Sequence, residues 1–332
     1  MTDLASRLAA LGPLAPRSNI DLARLGVVAA LILLIVFGAL RYDNFLSSYN
    51  ALSFLRYNSM FALIALGMAL VIMTGGIDLS VGGTAALASV VAALFSPYHW
   101  AAGLLGGLAA GLAVGVLNGA VITRLRIQPF IGTLAAMLAA YGTALLLAGN
   151  QSVSVSYDSG FTEIGQGDFL GFPVPAWIAL AAYVAGWVAL ERHPVGRRVL
   201  AIGDGEVTAA LMGLKVERTL MGVYAASGLL AGLAGVILAS QFGAGQPTEG
   251  VGWELFAIAS VVVGGTLLTG GVGSIGATLA GALLLAMVFN ILNFENGLGW
   301  ISLSAYWQSV IRGLFLLAVI ILQAKIAESR PR

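Results

Sequence analysis

The chain has 332 residues, 59% hydrophobic and only 9% charged, which excludes an ordinary soluble domain, where about a quarter of residues carry charge. The formal net charge of +1 singles out no partner and nucleic acid is not expected, while the absence of cysteine removes disulfides, thiolate metal sites and thiol nucleophiles. A mean hydropathy of +0.95 leaves an integral membrane protein with no room for a separate catalytic domain.

Residues 1–21, with Arg7, Arg17, Pro13 and Pro16, read as a cytoplasmic tail. A crossing helix needs about 20 apolar residues. Ten such spans are expected, at 22–40, 53–73, 80–95, 101–122, 130–148, 175–190, 219–240, 255–268, 275–292 and 306–323. The first is long for a signal peptide, and the Arg41-Tyr-Asp-Asn-Phe45 that follows is no cleavage site, so it is retained. The fold class is all-α: a polytopic membrane domain over 22–323 with internal pseudo-repeats, then a tail, 324–332. With the N-terminus inside, only Arg41 and Arg56 of the 16 basic residues fall outside and Arg312 falls within the last span. Both termini are therefore expected in the cytoplasm.

Two connections are long. Residues 149–174, with Asp158, Glu163 and Asp168 and no basic residue, are expected outside. Residues 191–218 are expected inside, with a short helix from Glu206 to Met212 that Gly213 closes. A helix there is a handle for a partner. In the fourth span Gly107, Gly111, Gly115 and Gly119 share one face. Packing explains such a stripe most simply; a sliding surface is the sharper alternative.

The chain is organised around Thr74-Gly75-Gly76-Ile-Asp78-Leu-Ser80, which separates two apolar runs, and a related stretch returns at Thr269-Gly270-Gly271-Val-Gly-Ser274. With a one-residue gap, Ser80-Val-Gly82-Gly83-Thr84 aligns with Ser274-Ile-Gly276-Ala-Thr278. These residues are expected to form a hinge or gate in each of two related halves, where short helices break inside protein-lined space. Asp78 is costly inside a membrane. Either it or Ser80 is expected to cap the third span, with a place on the substrate path or its gate as the sharper reading of Asp78. Glu254 and Arg312 are expected at similar depth near the outer face, as an ion pair or as separate snorkelling groups. Asn118, Gln128, Gln241, Asn290 and Asn293 are expected to bond between helices or to line a wet path. Trp253, Trp300, Tyr306 and Trp307 are expected in the interfacial aromatic belt, with sugar stacking as the alternative.

Enzymatic chemistry finds little support. The only histidines, His99 and His193, fall on opposite sides of the membrane, and no phosphate-binding loop ending in Lys-Ser/Thr is present. Neither catalytic nor cofactor-binding residues are expected, and any ATP must be used by another subunit.

Thr74-Gly-Gly-Ile-Asp-Leu-Ser-Val-Gly82 resembles the permeases of bacterial ABC importers for monosaccharides such as ribose, xylose, galactose and galactofuranose. Ala201-Ile-Gly203 through Gly213, Tyr224 through Gly235, and Glu254 through Gly271 resemble further stretches of that family, so the likeness runs from about Leu52 to Leu322. The resemblance implies a channel subunit, with ATPase coupling through Asp204, Glu206, Ala209, Ala210, Gly213 and Lys215. It implies as partners an ABC ATPase, a periplasmic sugar-binding protein and a second permease copy or paralogue, in the bacterial inner membrane. Ile291 through Glu295 and the Gly-Gly-Thr-Leu-Leu-Thr-Gly-Gly run are similar to a galactofuranose-type permease. Two departures stand out. Phe256 occupies a position where the family often has Asp, and Ala210 to Gly213 is one residue short of the general permease motif. An importer for branched-chain amino acids or nucleosides, and an ion-coupled carrier, are the alternatives.

Overall fold

The computed structural model describes residues 18–297 and a few positions between 307 and 317. Helices in chain order are α1 (Ser18–Arg41), α2 (Ser48–Met73), α3 (Val81–Phe95), α4 (Trp100–Arg124) and α5 (Pro129–Ala148). After strand β1 (Val153–Ser154) come α6 (Glu163–Gln166), β2 (Asp168–Phe169), β3 (Phe172–Pro173) and α7 (Val174–Trp187), which a π turn extends to Arg192. Next are α8 (Pro194–Asp204), α9 (Glu206–Leu211), α10 (Val216–Phe242), β4 (Ala244–Gly245), α11 (Trp253–Val263) and α12 (Ile275–Gly297).

Local chemistry sets the ends. The Ser47 side chain accepts from Asn50 N–H at 3.2 Å to start α2. Pro129 occupies the first turn of α5 and Gly149, left-handed at φ 59°, closes it. Each of the first nine expected spans overlaps a helix, the eighth only as far as Val263; two thirds of the tenth lies outside the described residues. Among the described residues, six helices are long and apolar enough to cross a membrane: α2, α4, α5, α7 with its π turn, α10 and α12. Leu25–Arg41 of α1, α3 and α11 are shorter apolar helices.

Burial sorts these into a centre and a rim. The apolar windows of α2 and α10 are 67% and 61% buried, those of α5 and α7 only 28% and 17%. The outer faces of α5 and α7 are apolar and exposed, as lipid requires. The α4 glycine stripe closes on Gly228 and Gly232 of α10, where a Cβ on Gly111 would overlap the Gly228 carbonyl and one on Gly228 the Gly111 carbonyl. Lipid tails offer helices no hydrophobic drive to associate, so backbone-to-backbone contact of this kind supplies the dispersion energy.

At one end of the bundle, the Tyr42 hydroxyl donates to Glu295 at 2.6 Å and Arg41 lies 3.7 Å from the same carboxylate. Here β1 pairs with β4, and Arg56 pairs with Asp168 at 2.7 Å. Gly165 N–H donates to Ser240 Oγ at 2.6 Å. The segment 149–174 is thus fastened to the end of α10. At the opposite end lie α8, α9 and the two breaks.

One expectation changes here. A helix that starts directly from the end of the bundle where α10 stops is not what forms. Residues 243–252 instead run back along α3: Gln246 N–H donates to Ser89 Oγ at 3.0 Å, and Gly250 packs on Gly82 in the first turn of α3. Gly243, Gly250 and Gly252 take positive φ (71°, 87° and 84°), which lets an irregular strand descend in so little space. α11 therefore starts deep. Glu254 Oε2 lies against Gly82 in the first turn of α3, and Tyr141 of α5 lies against the neighbouring Gly83.

Candidate functional site

The break after α2 is a helix stop followed by a polar knot. Gly75, at φ 82°, returns its N–H to Ile72 O and Gly76 returns its N–H to Val71 O, a left-handed cap that satisfies two terminal carbonyls. Thr74 Oγ1 donates to Val71 O at 2.7 Å. Asp78, 1% exposed, then faces three donors. Its Oδ1 accepts from Ser80 N–H (3.0 Å) and Ser80 Oγ (2.6 Å), and its Oδ2 accepts from Ser227 Oγ on α10 (2.8 Å). Asn118 on α4 donates to Ser80 Oγ at 2.8 Å. Thr133 on α5 accepts from Leu79 N–H at 3.1 Å. The start of α3 is thus fixed to α10 by the Asp78 carboxylate, to α4 through Ser80 and to α5 through the Leu79 N–H. Ser80 itself makes no side-chain cap bond; Asp78 serves its N–H. Of the two expected caps it is Asp78 that serves, and it gains an interhelical role through Ser227.

The second break is built differently. α11 stops at Gly264-Gly265, where Gly265 (φ 86°) bonds Val262 O and Thr266 N–H bonds Val261 O. This is the same cap as at Gly75-Gly76. The structural counterpart of Gly75-Gly76 is therefore Gly265-Thr266, with Gly264 in the place of Thr74, and the expected alignment of Thr269-Gly270-Gly271 with Thr74-Gly75-Gly76 is corrected. The aligned ends do agree: Ser80 precedes α3 and Ser274 precedes α12, and each carbonyl accepts the N–H of the Thr four residues on (Thr84, 2.8 Å; Thr278, 3.0 Å). Thr269, Gly270 and Gly271 form the tip of the longer second loop, with φ 85° and 76° at the two glycines. That tip reaches the first break, where Gly271 N–H donates to Met73 O at 3.1 Å.

The segment 193–215 holds two helices, not one. His193 Nδ1 accepts from Val195 N–H at 3.4 Å and Pro194 takes the first turn, opening α8, a helix absent from the sequence reading. The apolar positions Val195, Val199 and Ile202 were its signal. α9 forms as expected, and Gly213 (φ 81°) closes it with the same cap: Gly213 N–H to Ala210 O, Leu214 N–H to Ala209 O. Ala209 is buried with Ile202 and Leu220. Asp204, Glu206, Ala210 and Lys215 are exposed. Val207, Leu211 and Met212 were not anticipated, yet they are 74%, 84% and 75% exposed and form an apolar knob on α9.

A cavity of about 980 Å³ lies between α2, α11 and α12, bordered by Asn50, Asn58, Asn290 and Asn293. Phe61 packs its ring against Trp253 and Phe256, both at 4.9 Å, on the same wall. The cavity thus gathers two of the expected amides and one expected tryptophan, with Phe256, the departure from the family pattern, in its lining. Glu249 is the only charged side chain among the described residues that border it. The other amides do other work: Asn118 joins the Asp78 knot, while Gln128 is exposed at the start of α5. Gln241 lies at the end of α10, where its main-chain carbonyl accepts from Gln166 at 3.1 Å while its side-chain amide is buried with no hydrogen-bond partner among the described residues. Glu254 Oε2 is buried without a hydrogen-bond partner among the described residues. Arg312, Trp300 and Tyr306 lie outside the described residues.

Residues 50–320 match the family described as branched-chain amino acid transport system / permease component. The ribose import permease protein of Bacillus subtilis (strain 168) is 39% identical over 305 residues, covering 91% of this chain and 93% of that protein. The ribose import permease protein of Escherichia coli (strain K12) is 37% identical over 90% and 92% of the two chains. The L-arabinose transport system permease protein of Escherichia coli (strain K12) is 34% identical over 92% and 93%. No solved structure matches the chain.

Proposed function

Since the chain belongs to the branched-chain amino acid transport system permease family, we infer that it is the membrane-spanning permease subunit of an ATP-binding cassette importer that carries a monosaccharide across the inner membrane. The observation that carries this is 37–39% identity to ribose import permeases over nine-tenths of both chains. ATP hydrolysis belongs to a separate subunit. Ribose and arabinose in the relatives' names favour a pentose over the galactofuranose-type sugar that the resemblance implied. The cavity's lining supports a neutral polyol. Amides and aromatic rings suit hydroxyls and sugar faces.

In this reading ten spans place both termini, α8, α9 and the breaks in the cytoplasmic half, and put 149–174 and the approach to the cavity outside. A periplasmic binding protein delivers sugar to that outer side. The knob of Val207, Leu211 and Met212 docks in the ATPase, and the exposed Asp204, Glu206 and Lys215 form its polar rim. A second permease copy or a paralogue completes the channel. ATP-driven movement of α8 and α9 then alternates access between the two sides.

The test is uptake by reconstituted complex. Ala209→Pro removes the 2.8 Å bond from Ala209 N–H to Gly205 O and costs α9 about 3 kcal/mol. ATP-dependent sugar uptake is expected to vanish while the protein still inserts. Uphill uptake by the permease alone, with no nucleotide-hydrolysing subunit present, overturns the assignment.

A further inference from the structure

The C-terminal end of α8 touches both breaks at a single point. Gly203 lies directly beneath the hydrogen bond from Gly271 N–H to Met73 O: a Cβ on Gly203 would overlap both of those atoms. A Cβ on Gly270 would sit 2.7 Å from Gly75 N and 2.9 Å from Gly203 Cα and O, and one on Gly271 would sit 3.1 Å from Asp204 Cα. The last turn of α2, the tip of the second break and the last turn of α8 are thus in three-way backbone contact. No flexible side chain intervenes to absorb a displacement.

Met73 O is one of the last carbonyls of α2, which have no partner within the helix. Its acceptance from Gly271 means that α2 is capped by the other half of the chain. Nothing in a helix cap requires this, because the carbonyls before it are served locally by Gly75 and Gly76. The geometry points to Gly203 as a positioning residue for transport. It lets α8 seat on the shared bond, so that displacement of the docking helices reaches both breaks together and the two halves rearrange as one unit. This rests on the reading of α8 and α9 as the ATPase-docking segment. Packed backbone is bistable rather than soft, which suits a direct mechanical link.

Two measurements on the reconstituted complex with its ATPase and binding protein test the link. Gly203→Ala is expected to lower sugar uptake roughly tenfold while the ATPase still co-purifies. Gly222→Ala, in open space on α10, is expected to leave uptake unchanged. Uptake by Gly203→Ala equal to wild type overturns the link. If Gly203→Ala fails to assemble, single-cysteine variants decide, since the chain has no native cysteine. Ile77→Cys in the first break and Val272→Cys in the second are labelled with a maleimide with and without ATP and vanadate. Parallel changes in labelling support the link; a change at one position alone overturns it. Loss of ATPase co-purification or uptake in Ala209→Pro tests the docking reading separately, so the two ideas fail in different assays.

Discussion

The two breaks begin alike and end differently. Each closes a helix with the same glycine cap, at Gly75 and at Gly265. The first then crosses to α3 through Asp78; its side chains bind α4 and α10, and its Leu79 N–H binds Thr133 on α5. The second crosses by a longer loop shaped by backbone bonds and paired glycines, with no ionisable side chain between Gly264 and Ser274. The destinations differ too: α3 packs chiefly against α4, α5 and α10, whereas α12 turns back onto α11, α1 and α2. Related sequence thus yields one break anchored by a carboxylate and one that is free to conform to its neighbour.

Substitutions sharpen that contrast. The largest loss of stability is expected from Asp78→Leu, which leaves Ser80 N–H and Ser227 Oγ buried without their acceptor. A cost of about 3 kcal/mol or more follows, read as a lower unfolding temperature in detergent. Gly75→Ala and Gly265→Ala each force a side chain into left-handed backbone, at about 1–2 kcal/mol. Gly265 has open space around it, while a Cβ on Gly75 lies 3.4 Å from Thr269 O. Equal stability losses with a larger transport defect for Gly75→Ala are therefore expected. Thr133→Val removes the acceptor for Leu79 N–H at constant volume and should cost about 1 kcal/mol. The smallest effect belongs to Asp78→Asn, within about 1 kcal/mol of wild type: the amide oxygen still serves Ser80 and the amide nitrogen donates to Ser227. A large loss in Asp78→Asn means that the charge itself matters, and the contrast between the breaks then becomes electrostatic.

Helix placement was legible because apolar runs bounded by Gly, Pro and capping residues leave few choices. Asp78 was legible as the one carboxylate at a turn, and its partner was not. Ser227 lies 149 residues away, in a helix whose glycines drew attention to packing instead. The second break was misaligned because its Thr-Gly-Gly matched the first letter for letter. The glycines that stop α11 come earlier, in Val263-Gly264-Gly265-Thr266, and lack the preceding threonine. The depth of Glu254 was hidden for another reason. Hydropathy reports whether a segment avoids water, not whether an irregular strand such as 243–252 descends between helices before the next one starts.

That descent has an electrical consequence. Non-helical chain at such depth survives only against protein or water, and the cavity runs along it from Glu249 to Trp253. If water follows the cavity to its floor, the insulating layer beneath is little more than the 11 residues of α11, about 16 Å at 1.5 Å per residue, against about 30 Å for the bilayer. The transmembrane voltage would then fall across half the usual distance, doubling the local field. An uncharged cargo would cross that layer without electrical work, whereas any ion slipping through with it would feel the full drop.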